Sequence, residues 1–179
     1  MHYHPADTEG APPQEEIYTG NEIIIASKRE NAKIIIDEIE QKMQELGWLE
    51  DNVNIFITAL SEALNNAIVH GNFGLAQAQF SDDEKYSDAI KEAEAKWGEV
   101  KKVIITIEDM SSTHISMMVT DEGKGFNHEA LLDPRQPENL LKESGRGVLI
   151  MQKLVKVEYL GDGNKVRLEL PRVAEETAR

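Results

Sequence analysis

Glu62, Asn66 and His70 stand four residues apart in the segment Leu60-Ser61-Glu62-Ala63-Leu64-Asn65-Asn66-Ala67-Ile68-Val69-His70-Gly71-Asn72. On an α-helix rising about 5.4 Å per turn, that spacing makes one polar stripe on an otherwise apolar surface. A carboxylate one turn from a carboxamide supplies a base and an oxygen ligand for Mg²⁺, a hard cation that keeps waters and shares phosphate oxygens. The same stripe also fits a solvated helix face. A second group is Asp121-Glu122-Gly123-Lys124-Gly125-Phe126, directly after a strand-like segment. Asp at a strand end before alternating glycines places an acceptor-only group beside backbone that a ligand can approach closely. That suits adenine, whose exocyclic amine donates to a carboxylate, whereas guanine presents an acceptor oxygen at the same edge. It also fits a glycine turn capped by Asp. The third group, Ser144-Gly145-Arg146-Gly147, runs into Val148-Leu149-Ile150-Met151. Backbone N–H groups at a helix start make an anion site, and Arg146 adds a planar charged fork for phosphate. The pattern equally marks a tight helix start. The chain has no G-x-x-x-x-G-K-S/T, and Ile150 stands where a dinucleotide fingerprint needs its third glycine, so neither a P-loop nor a Rossmann site is supported.

Regular elements must hold these groups in place. Glu22 to Ala26 is a β-branched run suited to a buried strand, and Ser27-Lys28-Arg29-Glu30 has the spacing of a capping box. The helix it opens carries Ile35, Ile39, Met43 and Leu46 on one face and stops at Gly47. Asp51 is the expected N-cap of a second helix over Asn52 to His70, which carries the polar stripe opposite Phe56, Ala59, Leu60, Ala63, Leu64, Ala67 and Ile68. Within Gly71 to Gly98, Ser81-Asp82-Asp83-Glu84 repeats the capping-box spacing, and Tyr86, Ile90, Ala93 and Trp97 form a helical packing stripe. Val100 to Glu108 and His114 to Thr120 read as strands joined by a polar turn. The segment Asn127 to Glu143, with Pro134 and Pro137, reads as a loop with one helical turn over Glu129 to Leu132. A helix follows Gly145-Arg146-Gly147, and Lys156 to Leu160 and Lys165 to Leu170 are strands flanking Gly161-Asp162-Gly163-Asn164, a hairpin signal. Residues 1–19, with three of the six prolines, read as a flexible arm with His2 and His4 as tail residues; 20–171 form one domain, and 172–179 a frayed tail.

Composition narrows the classes. A chain of 179 residues with 40% apolar and 29% charged residues has room for one substantial core, and no apolar run reaches the roughly 20 residues that span a bilayer. No basic region followed by an apolar stretch opens the sequence, and there is no cysteine, so a cytoplasmic protein without disulfides or thiolate metal sites is expected. The formal charge of −14 disfavours direct contact with nucleic-acid phosphates and fits a protein partner with a basic surface.

Glu62-Ala-Leu-Asn-Asn-Ala-Ile-Val-His-Gly71 resembles the N-box, Asp121-Glu-Gly-Lys-Gly-Phe126 the G1 box and Ser144-Gly-Arg-Gly-Val-Leu-Ile-Met151 the G2 box of GHKL ATPases. The order and setting of the three boxes are more specific than any one, and the resemblance spans roughly residues 20 to 170. Within that superfamily the sequence is most similar to the anti-sigma-factor serine/threonine kinases. The resemblance implies a Bergerat ATP-binding fold, an α/β (α+β) two-layer sandwich in which helices cover one face of a mixed, mostly antiparallel sheet. It also implies ATP and Mg²⁺ as cofactors, Glu62 as general base, Asn66 as Mg²⁺ ligand and Asp121 as adenine reader. Gly123 and Gly125 would shape the purine pocket, while Gly145, Arg146 and Gly147 would approach the phosphates. Two departures stand out. Residues 71–98 are longer than the usual link between N-box and G1 box, an inserted helix expected to border the pocket, and Gly163-Asn164 replaces a frequent Gly-Thr, removing a hydroxyl that assists adenine binding.

The implied function is phosphorylation of a STAS-domain anti-anti-sigma protein combined with sequestration of a sigma factor, with no direct nucleic-acid or membrane contact and room for a homodimer. The alternative is a non-catalytic, nucleotide-switched binding module of the same fold. A sensor histidine kinase is disfavoured by the lack of an upstream H-E/D-x-x-x-P pattern, and a gyrase- or chaperone-type machine by the lack of large additional domains.

Overall fold

The computed structural model describes residues 17–19, 21–126 and 146–172, with no account of the side chains of residues 17–19 and 146–149. Among the described residues, six strands form one sheet: β1 (Ile17–Thr19), β2 (Glu22–Ala26), β3 (Lys102–Met110), β4 (His114–Asp121), β5 (Lys156–Leu160) and β6 (Lys165–Pro171), in the order β1-β2-β3-β4-β6-β5. Every described pairing is antiparallel. The helices are α1 (Arg29–Glu45), α2 (Glu50–Asn65), α3 (Asp83–Trp97) and α4 (Arg146–Leu154), and α2 packs against α1, α4 and β6. This is the α+β two-layer arrangement expected of the sequence.

Alternation explains the layers. Ile23, Ile25, Val103, Ile105, Ile115, Met117, Val119, Val166 and Leu168 are buried and belong to one apolar cluster with the inward stripes of the helices. From α1 that stripe is Ile35, Ile39 and Met43; from α2 it is Val53, Phe56, Leu60 and Leu64. On the other pleat, Arg167 donates to Glu108 at 2.6 and 2.8 Å and to Glu158 at 2.6 Å, and Ser116 donates to Glu108. A register shift between Ile107 and Asp109 marks the bulge at Glu108.

Several helix boundaries differ from the sequence reading for identifiable reasons. α1 ends as expected: Gly47 has φ +78°, its N–H reaches the Gln44 carbonyl, and Trp48 N–H reaches that of Met43. At its start, however, Lys28 is the N-cap and no side chain caps it, because Ser27 is buried and its hydroxyl accepts from Asn72 instead. Leu49, not Asp51, precedes α2, and Asp51 lies in its first turn, where a carboxylate favours the helix dipole. In α3 the cap is Asp82, which accepts from Lys85 N–H at 2.8 Å, and not Ser81. The stripe on α3 holds for Ile90, with Tyr86 against the core, whereas Trp97 is 41% exposed beneath the Lys96 ammonium.

Ile17–Thr19, read from sequence as the end of the arm, pairs with Glu22–Ile24. Arg172, assigned to the tail, is tied by its N–H to the Thr113 carbonyl and by its guanidinium to that of Ser112. The helical turn over 129–132, Gly145 and the residues beyond 172 lie outside the described part.

Phe56 is fully buried in the middle of the helix that carries the polar stripe. Phe56→Ala should lower the unfolding free energy by about 3–5 kcal/mol, the usual range for a large core truncation, read from urea midpoints at unchanged slope.

Candidate functional site

A cleft of about 810 Å³ opens where the C-terminal end of the α2 segment, the ends of β3 and β4, the β5–β6 turn and Met151 of α4 meet. The helix changes as it reaches this cleft. Asn66–Asn72 is a π-helical turn, closed by Phe73 N–H on the Ile68 carbonyl at 3.0 Å, a five-residue step. Such wide turns concentrate at functional sites. The turn buries Ala67, Ile68, Val69 and Asn72.

The expected stripe is only partly brought to the cleft. Asn66 and His70 line the cleft, but Glu62, half-buried one turn earlier, is not part of the wall formed by the described residues. The Asn66 carboxamide makes no hydrogen bond to a described residue, which leaves its oxygen available to a ligand. His70 has another use: its Nδ1 lies 2.5 Å from the Leu75 carbonyl and pins the chain leaving the π-turn. Among the described residues no three His, Asp or Glu side chains converge as a metal cage. A single carboxamide on the wall fits Mg²⁺ held chiefly by phosphate oxygens and water.

Asp121 ends β4 and lines the cleft. Two neighbours have no side chain because none would fit. A methyl group at 71 would overlap the Asp121 carboxylate, and one at 123 would overlap the Gly71 carbonyl. Gly123 N–H donates to Asp121 Oδ1 at 2.7 Å. Burial pushes the Asp121 carboxyl up to about 6, against the opposing pull of the Gly123 N–H and the Lys101 charge. The backbone of Asp121 is fixed as well: its N–H donates to the Asn164 carbonyl and its carbonyl accepts from Asn164 Nδ2, both at 3.0 Å. Asn164, the departure from Gly-Thr, thus ties the hairpin turn to Asp121.

The next turn is locked into the hairpin. Gly125 and Gly163 have φ +71° and +89°, and side chains there would overlap the Asp162 and Phe126 carbonyls respectively. Phe126 meets Tyr159 edge-on, with ring centroids 5.2 Å apart. α4 begins at Arg146, so Arg146 and Gly147 stand in a helix's first turn, while Gly145 is outside the described residues.

Sequence reading missed Asn72. This buried residue donates to the Ser27 hydroxyl at 2.6 Å and to the Lys102 carbonyl at 2.8 Å, and accepts from Glu122 N–H at 2.7 Å. It joins the π-turn to the ends of β2 and β3 and to the residue after β4. An asparagine just past a helical glycine was its only signal. Gly71 and Lys101, which also line the cleft, were missed too. Gly71 to Gly74, the start of the inserted segment, border the cleft as expected.

Asp121 carries a measurable cost. Its folded value lies above the usual 3.8, so its ionised form is penalised in the native state at neutral pH, and the penalty fades as pH falls from about 6 to below 4. Asp121→Asn, which can still accept from Gly123, should therefore raise the ligand-free melting temperature at pH 8 by about 1–3 °C, allowing for partial exposure. Calorimetry at pH 8 and pH 4 should show the gain at the first and its loss at the second.

No curated protein matches the chain significantly. The family model described as the histidine kinase-like ATPase domain matches residues 25–170, a span that begins in β2 and ends in β6 and includes the whole cleft. With that match across most of the chain, on a Bergerat-type sheet and helix arrangement, the protein belongs to the histidine kinase-like ATPase domain family.

Proposed function

We propose that the protein is an ATP-dependent serine/threonine kinase and anti-sigma factor that phosphorylates a STAS-domain anti-anti-sigma protein and sequesters a sigma factor. The observation that carries the nucleotide part of this reading is the Asp121 carboxylate, half-buried and facing a cleft whose volume falls within the about 300–1,000 Å³ of small-molecule sites. Ionised, it is acceptor-only and takes the adenine amine; Gly71, Gly123 and Gly125 line the cleft beside it as close-packed backbone against which the ring would lie. By the family resemblance, Gly145, Arg146 and Gly147 would approach the phosphates, and the start of α4 at Arg146 fits backbone N–H groups serving as an anion site. Asn66 would hold Mg²⁺, which when bound neutralises charge on the β- and γ-phosphate oxygens.

In the transfer step, the hydroxyl oxygen of a serine or threonine on the STAS partner bonds to the γ-phosphorus as the bond to the bridging oxygen breaks. ADP leaves, and Glu62 takes the hydroxyl proton. Most of the acceleration comes from positioning and charge neutralisation. The strongly acidic surface, −14 overall, supports a partner with a basic face. One observation favours the nucleotide-switched module instead: Glu62 lies outside the wall of the cleft formed by the described residues. In that reading ATP sets partner affinity without transfer.

Asp121→Asn should weaken ATP binding by about tenfold or more, since hydrogen bonds to a charged group contribute about 1.5–3 kcal/mol, and the parent should prefer ATP over GTP. Titration calorimetry with both nucleotides checks both expectations; equal affinities would remove Asp121 from the adenine site. Glu62→Gln should retain nucleotide binding yet lower phosphoryl transfer to the STAS partner by about 10² to 10⁴, as for a positioned general base. Asn66→Ala should lose Mg²⁺-dependent affinity as well as transfer. If the parent binds MgATP and a sigma factor but transfers no label from ATP to any STAS partner, the switch reading replaces the kinase.

A further inference from the structure

The inserted segment touches the cleft at both ends. Phe73 and Gly74 lie on the wall where it begins, and Lys101 lies on the wall just after it ends. The backbone of Lys101 is fastened there: its N–H donates to the Trp97 carbonyl at the end of α3 at 2.8 Å, and its carbonyl accepts from Ser27 N–H at 3.0 Å. Val103 is the Cα partner of Asp121 in the β3–β4 register. Lys101, two residues before Val103, therefore lies on the same pleat as Asp121 and diagonal to it. Diagonal neighbours stand roughly 7–8 Å apart, within reach of a long side chain. Lys101 is half-buried, and its side chain makes no hydrogen bond or direct ion pair with a described residue.

We propose that Lys101 is a positioning residue for purine recognition, set by the last turn of α3 so that its ammonium holds Asp121 in the ionised, acceptor-only form. The role rests on the reading of Asp121 as the adenine acceptor. Other charged or titratable groups near Asp121 are placed differently. Glu122 is on the opposite pleat, with its carboxylate accepting from Lys102 N–H. Lys165, the partner of Thr120, belongs to that opposite pleat too. Lys124 and Asp162 are exposed on the two turns, and His70 is exposed with its Nδ1 committed to the Leu75 carbonyl. Tyr159 stays neutral, its hydroxyl pushed up to about 12 by burial. The Lys101 charge opposes the desolvation of Asp121.

Carbon-detected carboxyl titration of the ligand-free full chain tests this without any nucleotide. Replacing the charge in Lys101→Met should raise the proton affinity of Asp121 by about three- to tenfold, and Lys101→Arg should restore it. Affinity for ATP, which needs the carboxylate, should then be lost at a higher pH in Lys101→Met than in the parent as pH falls. Should Lys101→Met fail to fold, Lys101→Gln takes its place. An unchanged Asp121 proton affinity in a folded, charge-neutral variant overturns the proposal. The adenine reading fails separately: if Asp121→Asn binds ATP like the parent, Asp121 does not read adenine, and the ligand-free titration still judges the electrostatic effect of Lys101.

Discussion

The site depends on one close approach. The Asp121 carboxylate lies against the backbone of Gly71, and the Gly71 carbonyl lies against Gly123, with no space for a side chain at either glycine. This contact brings the end of the π-turn onto the end of β4 and the start of the following turn. It also removes water from one side of the carboxylate, which is why its affinity for a proton rises. A carboxylate so placed is weakly solvated and directed at the cleft, and the single Gly123 N–H fixes one of its oxygens while leaving capacity on the other.

Asn72 makes that approach possible. Its amide nitrogen donates to β2 and β3 neighbours and its oxygen accepts from Glu122, so three chain segments meet on one side chain. A buried carboxamide is favourable only when its groups are satisfied, and here both its nitrogen and its oxygen are engaged. On the other flank, Asn164 exchanges two hydrogen bonds with the backbone of Asp121, and the glycines of the two turns interlock. The Asp121 side of the cleft is thus backbone held by two asparagines, while the Asn66 carboxamide on the π-turn makes no hydrogen bond to a described residue.

The inserted segment is tied to this wall at its ends and is not a separate appendage. It begins at the cleft, its helix buries Ile90 in the common core and forms the Arg29–Glu94 ion pair with α1, and the chain returns to the cleft at Lys101. Ser27 N–H holds the chain there by donating to both the Gly98 and Lys101 carbonyls. The same serine that sequence reading gave to a helix cap is drawn inward because its hydroxyl has a stronger demand on it, the buried amide of Asn72.

The sequence by itself determined the strands β2 to β6 and the four helices, because period-two and period-3.6 apolar patterns, the glycine at 47 and the Asp-Gly turn act over a few neighbouring residues. Through the family resemblance it also grouped Asn66, Asp121, Gly123 and Gly125, four residues that line one cleft. Only the tertiary structure decided what lay between those elements: the π-turn over Asn66–Asn72, the place of Glu62 outside the cleft wall formed by the described residues, the exposure of Trp97, the pairing of Ile17–Thr19, and the joining of Asn72 to Ser27, Lys102 and Glu122. Each of these turns on groups brought together from distant parts of the chain, or on which neighbour competes for a hydrogen bond. Local periodicity carries no information about either.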